Sequence, residues 1–355
     1  MTTLVFSHVS ALRALRKART KYHGIPWEAA SSGTQRRLMA QSAPNRSLFD
    51  SAMLNQIGVV SELNPKAHVL VGTRANRRWA SNITCHLCLP SLPKGSLLRI
   101  DAHHYCCSPA LTALQCSAGK TVPEILVLLL ELLGTFSLPA EATDPIAWGG
   151  QWPDHAARDS VEQVHYACDP AVTIPELRAL SRWARGERYA LFRHAVRLAT
   201  TQIASPAEAI MYGMFAAPMR YGGFNMASLP RGGMLANHRI DFTGPAAHVS
   251  GGIPYAICDI YIPSAKVDLE YNGAGHEETN YRMHDDNRNN GLKAMGIQVF
   301  ALGRAQMRDI VALEAMARVV YKRAGIRYRY RIKGYRLRQG QWLNGLRRGI
   351  GLPPT

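Results

Sequence analysis

Residues 259–276 read DIYIPSAKVDLEYNGAGH, and this stretch decides the fold of the second half of the chain. Two runs with strand-like alternation, YAICDIYIP and VDLEYNG, flank a Pro-Ser-Ala-Lys segment at 263–266 that suits a tight turn. Side chains alternate across a strand, so Asp259 shares a face with Ile257 and Tyr261, while Asp268, Glu270 and Asn272 share a face of the second strand. With 263–266 as the turn, Ile262 pairs with Val267, and counting back sets Asp259 directly opposite Glu270. Their Cβ atoms would then lie about 4.5–5.5 Å apart.

Two like charges so placed weaken a sheet and, once desolvated, drive one carboxylate to keep its proton. A hard divalent cation removes the conflict. Mg²⁺ is held through one or two carboxylates with water and substrate phosphate around it, and it can polarise a phosphoryl oxygen and activate a water. The plainer alternative is an edge hairpin whose two acids are solvated, and a register slip of one residue would separate them.

Outward from the hairpin, SPAEAIMYGMFAAP reads as a helix before it. ETNYRMHDDNRNNGLKAMG (helix), IQVFALG (strand) and MRDIVALEAMARVVYKRAG (helix) follow it. Helix, hairpin, helix, strand and helix together describe a mixed sheet flanked by helices. In order and spacing these residues resemble the very-short-patch-repair-like endonuclease domains of the PD-(D/E)XK, or restriction-endonuclease-like, superfamily. That pattern runs from a strand carrying an Asp, through a turn, to a strand reading Glu-x-Asp-Gly and then a His. A helix with Asp-x-x-Arg and a Gly-containing turn into a strand complete it.

Here the matching residues are Asp259, EYNG from Glu270, His276, and then Asp285 and Arg288, over residues 205–305. The resemblance implies an α/β/α core in which Asp259 and Glu270 hold Mg²⁺ or Mn²⁺ for hydrolysis of DNA phosphodiesters, with Asn272 and His276 as further catalytic residues. The superfamily commonly has Lys at the third position and this subfamily Asp. Asn272 stands there instead, able to ligate or orient water through its carbonyl but carrying no charge.

Glu208 matches an acidic residue on the family's first helix, yet SPAE is equally a capping box with Ser205 as N-cap. His276 is a candidate for phosphate binding or proton transfer, or an ordinary loop residue. Asp285 and Arg288 stand three apart on one helix face, where a structural ion pair is the simplest reading.

The first half reads as a smaller α+β domain over 1–140. It has a helical apolar repeat at Leu12 and Leu15 and a loop over SSGTQRRLMAQSAPNRS. The β-like runs HVLVG, ITCHLC and SLLRIDAHHYCC come next, and then helices after Pro109 and Val122. FSHVSALRALR and CCSPALTALQCSAGK weakly resemble antitoxin-like regulators of abortive-infection systems, which would make this half a binder of DNA or of a toxin or other protein partner. Residues 141–204 read as a Pro/Gly-rich linker and helices, with Thr173 and Glu176 at capping-box spacing; 205–325 is the endonuclease-like domain and 326–355 a basic aromatic tail. No internal repeat is apparent.

The chain carries 42 Lys and Arg against 25 Asp and Glu, a formal charge of +17, which draws in extended polyanions and makes nucleic acid the first partner to consider. The tail sequence IRYRYRIKGYRLRQ sets Arg327, Arg329, Arg331 and Lys333 against Tyr328 and Tyr330 at strand period, with Arg336 and Arg338 beyond. One face would meet phosphates and the other pack; a solvated, charged edge strand is the alternative.

Seven cysteines without scaffold spacing, and a start with no unbroken apolar core, point to a reducing, cytoplasmic setting. The apolar run ILVLLLELLG is broken by Glu131 and too short for a bilayer, so no membrane association is expected. Cys85, Cys88, His103, His104, Cys106 and Cys107 hold the ingredients of a zinc site, but adjacent Cys106 and Cys107 should face opposite sides of a strand, which disfavours zinc.

Overall fold

The computed structural model describes residues 3–44, 48–78, 81–89, 91–141, 164–272, 279–330 and 332–355, and the side chains of 279–285 are not among those described. The chain is a mixed α+β protein whose described residues fall in two compact units, one drawn from 1–148 and 162–199, the other from 200–355. Among the described residues no helix is long and apolar enough to cross a membrane.

The first unit is built on β1 (Leu4–Phe6), α1 (His8–Tyr22), β2 (Glu28–Ala29), α2 (Ser32–Gln41), α3 (Ser51–Gln56), β3 (Ala67–Val71), β4 (Ile83–Leu87), β5 (Leu97–Arg99) and β6 (His104–Cys107). The helices α4 (Pro109–Cys116) and α5 (Val122–Leu133), the ribbon β7 (Phe136–Ser137) with β8 (His165–Tyr166), and the helices α6 (Ile174–Trp183) and α7 (Ala190–Leu198) complete it. The six-stranded sheet has the order β2-β5-β6-β1-β3-β4, with parallel pairs β1/β6 and β3/β4 among antiparallel neighbours. The helices at 174–198, read from sequence with the linker, belong to this unit. Most of the linker itself, 142–163, lies outside the described residues.

Glu131, the acid that interrupts the apolar run, is fully buried in α5 because Arg16 of α1 clasps it through Nε and Nη2 at 2.8 and 2.7 Å. Arg13 and Arg19 are buried on the same helix, donating to main-chain carbonyls of Val59, Glu131 and Gly134. A buried charge is tolerable only when paired and hydrogen-bonded in this way. The capping box at Thr173 and Glu176 is present. SSGTQRRLMAQ is a helix, not the expected loop: Ser31 caps it through Thr34 N–H, and only Gln35 and Leu38 are buried, too few to show as an apolar period.

The second unit comprises α8 (Pro206–Ala216), β9 (Leu235–Asp241), α9 (Gly244–Val249), β10 (Tyr255–Ile262), β11 (Val267–Asn272), α10 (Thr279–Ala294), β12 (Gln298–Gly303), α11 (Ile310–Arg323) and α12 (Tyr335–Gly349). Its sheet runs β12-β11-β10-β9. β9, β10 and β11 are antiparallel, while β11 and β12 are parallel and are joined across α10, as a parallel pair requires. β9 gives no clear sequence signal because LANHRID is half polar and breaks the alternation.

The basic tail corrects an expectation: residues 326–330 form no strand, and α12 follows. Of the aromatic residues Tyr335 and Trp342 are buried, Tyr328 is half-buried and Tyr330 is exposed. Tyr330 packs on Tyr328 and Tyr335, and Tyr335 and Trp342 donate to the carbonyls of Gly223 and Gly213 at 2.7 and 2.9 Å.

Candidate functional site

β10 and β11 meet as the spacing requires: Ile262 pairs with Val267, Tyr261 with Asp268 and Ile260 with Leu269, around a turn at 263–266. The ladder then stops. On the other side β9 pairs with Cys258 and Ile260 but not with Asp259, and at the facing position Asn237 adopts φ 42°, a left-handed conformation that Asn tolerates better than most residues. Asp259 therefore sits where both ladders open, and its carboxylate bridges to β11 instead: Oδ2 accepts the Tyr271 N–H at 2.9 Å. The register is the one obtained by counting, with Asp259 and Glu270 lying one step beyond the last ladder pair, Ile260 and Leu269, and the Asp259 carboxylate turned onto Tyr271.

Glu208 approaches from α8. Ser205 Oγ accepts from its N–H at 3.2 Å and donates to its Oε1 at 2.8 Å, while Ala204 N–H reaches Oε2 at 2.9 Å, so the cap is real. Oε2 also accepts from Asn237 Nδ2 at 2.7 Å, which ties the capping acid to the strand position facing Asp259. Burial raises Glu208. Burial, then the charges of Glu208 and Glu270, push Asp259 up to about 7 against the lowering by Tyr271 N–H and Arg288.

α10 lies over the sheet because Leu292 packs with Ala256 and Cys258, and because Gly291 leaves room for the Phe242 ring, which an added Cβ would strike. From this helix Arg288 reaches down. Its Nη2 donates to Glu270 Oε1 and to the Ile257 carbonyl and lies 3.5 Å from Asp268 Oδ2. Although burial opposes it, the hydrogen bond and charge of Glu270 raise Arg288. Asp268 is fully buried and its Oδ1 has no hydrogen-bond partner; burial and the neighbouring Glu270 hold its proton to well above the usual carboxylate range. Sequence reasoning passes over Asp268 as a site residue, although its place two residues before Glu270 on one strand face is the available signal.

Asn272 is exposed at the end of β11, in register with Gly303. His276 lies outside the described residues, as does the side chain of Asp285. Of the tail residues, Arg327, Arg329 and Lys333 are exposed and Arg331 is outside the described residues. Arg336 reaches buried Glu314 at 3.3 Å, beside Arg318 at 2.6 Å, and Arg338 donates to the Arg220 carbonyl at 3.1 Å. In the first unit Cys85, Cys88, Cys106 and Cys107 carry thiols, not disulfides, and His104 is bound to Asp101 at 2.8 Å.

The donors at Asp259 and Glu270 are hard oxygens, the type that Mg²⁺ and Mn²⁺ take, and the orphaned oxygen of Asp268 marks unbalanced acidity around them. Among the described residues no group of three or more His, Cys, Asp and Glu side chains is arranged to hold a metal ion, and Glu270 is ion-paired with Arg288. Comparison with protein-family models, with curated proteins and with solved structures found no match to this chain.

Proposed function

We propose that residues 200–355 form a restriction-endonuclease-like unit, a metal-dependent endonuclease that hydrolyses DNA phosphodiesters. The observation that carries this reading is the gathering of Glu208, Asp259, Asp268 and Glu270 around a break in the sheet, with Arg288 as their guanidinium partner. Four acids brought together against the usual preference for charge balance are a hallmark of a site built for a ligand of opposite charge. Asp259 and Glu270 would hold Mg²⁺ or Mn²⁺, which when bound supplies a Lewis acid for the phosphoryl oxygen and an activated water. Asn272 offers a neutral carbonyl at the strand end, and exposed Arg327, Arg329 and Lys333 attract the backbone.

The test is nicking of supercoiled plasmid with Mg²⁺ or Mn²⁺ by the wild type and by Asp259→Ala and Glu270→Ala. Loss of cleavage in both supports the assignment, and cleavage that survives both overturns it. A second reading is a non-catalytic DNA-binding regulator or antitoxin, acting with a toxin or other protein partner. It is favoured by Arg288, which already neutralises Glu270, and by the uncharged Asn272. Salt-sensitive DNA binding without metal-dependent cleavage of several DNA forms would select it.

A further inference from the structure

A separate cavity of about 450 Å³ opens in the first unit, within the range of roughly 300–1,000 Å³ typical of small-molecule sites. Its walls come from β4, α4, the start of α1 and the segment following α6. Leu70, Leu111 and Leu114 supply apolar surface, and Trp183 and Tyr189 supply aromatic rings.

Two histidines form its most unusual feature. The rings of His8 and His86 are stacked at 3.5 Å and 19°, and His86 Nε2 lies 2.9 Å from Nδ1 of His68 behind it. His8 is held there at φ 50°, left-handed and non-glycine, with its N–H donated to Gln115 Oε1 at 2.9 Å. Strain of this kind persists only where the surroundings enforce it, and it concentrates at binding sites. Burial and the neighbouring histidines push His8 down to about 3 and His86 to about 4, so both are neutral rings at physiological pH.

The charge in this cavity is of one sign. Arg77 and Arg188 line it, no Asp or Glu does among the described residues, and Arg188 lies over the Tyr189 ring at 4.6 Å. An adjoining hollow shares Arg77 and adds Lys66 and Arg78. A metal ion does not suit the cavity. Imidazole lone pairs lie in the ring plane, so two stacked rings cannot converge on one ion. What does suit it is a planar ring that extends the aromatic surfaces and a phosphate that meets the two guanidinium groups, which favour phosphate through paired N–H donors.

We infer that this cavity binds a 5′-mononucleotide, its base against the His8, His86, Trp183 and Tyr189 rings and its phosphate on Arg77 and Arg188. The site belongs to the first unit and is independent of the acidic cluster.

The test is calorimetric titration of the full-length protein with AMP, GMP, CMP and UMP in turn, with ribose 5-phosphate as the phosphate-only probe. At least one mononucleotide is expected to bind with one site per chain, and ribose 5-phosphate at least roughly tenfold more weakly, a difference of about 1.4 kcal/mol. Arg77→Gln and Arg188→Gln remove exposed side chains and so leave folding intact, checked by circular dichroism; each should weaken binding by about tenfold or more. Asp259→Asn should bind as the wild type does. Absence of mononucleotide binding at millimolar concentration overturns the inference. So does binding insensitive to both arginine variants, equal affinity for ribose 5-phosphate, or binding of an oligonucleotide while every mononucleotide is inert.

Discussion

An acid that keeps its proton to about pH 7 makes the folded state pH-sensitive, and Asp259 is that acid. Its folded pKa is raised, so between the unfolded value near 3.9 and 7 the native state binds more protons than the unfolded one, and stability falls as pH rises. The penalty is absent at pH 4, accumulates through the window and saturates above 7 at on the order of 4 kcal/mol. Asp259→Asn should therefore be more stable than the wild type above pH 7 and equal to it near pH 4, read from urea unfolding across that range; a difference independent of pH would refute the assignment. Arg288 gives the opposite sign. Removing it as Arg288→Gln leaves the Glu270 carboxylate without its counter-charge and should destabilise by about 3 kcal/mol. At this scale the hairpin register was legible and the contacts made from other elements were not. Asp259 and Glu270 could be found from the turn and the alternation, whereas the open ladder depends on Asn237 and Glu208, which arrive from other elements.

Elements were legible where an apolar period or a cap announced them. α5, α6 and α8 each begin at a Thr or Ser cap followed by Pro, and the hairpin follows from its turn. α2 and β9 stayed hidden because few of their residues are buried, so tertiary placement, not local pattern, holds them. α1 shows a different limit. Its apolar repeat at Leu12 and Leu15 was legible, yet nothing in the pattern marks Arg13, Arg16 and Arg19 as being among the most buried residues of the unit. Joining α1 to α5 through Arg16 and Glu131 makes a strong test of packing. Arg16→Met alone should destabilise by roughly 3–5 kcal/mol because Glu131 is left buried and uncompensated, while Arg16→Met with Glu131→Leu should recover most of that loss. Denaturant unfolding of the two single variants and the double variant measures the coupling; additive losses would show that the pair does not act as a unit.

For the molecule as a whole, the charge of +17 overstates what is free to meet a polyanion. Arg13, Arg16 and Arg19 are internal, Arg288 is bound to carboxyls, and Arg336 is shared with Glu314. Exposed tail residues such as Arg327, Arg329 and Lys333 remain available, and on the proposed DNA-binding role they should dominate its salt dependence. Each phosphate that the protein no longer neutralises lowers the slope of log K against log salt by about 0.9, so the triple variant Arg327→Gln, Arg329→Gln, Lys333→Gln should lower it by about 2–3. Arg336→Gln alone should change it by much less, because its guanidinium already has an acidic partner. Fluorescence anisotropy with a duplex of fixed length, titrated across a range of NaCl concentrations, separates the two. Equal effects of Arg336→Gln and of the triple variant would mean that the ion pair with Glu314 opens on DNA and that net charge, not the internal pairing of each arginine, sets the affinity.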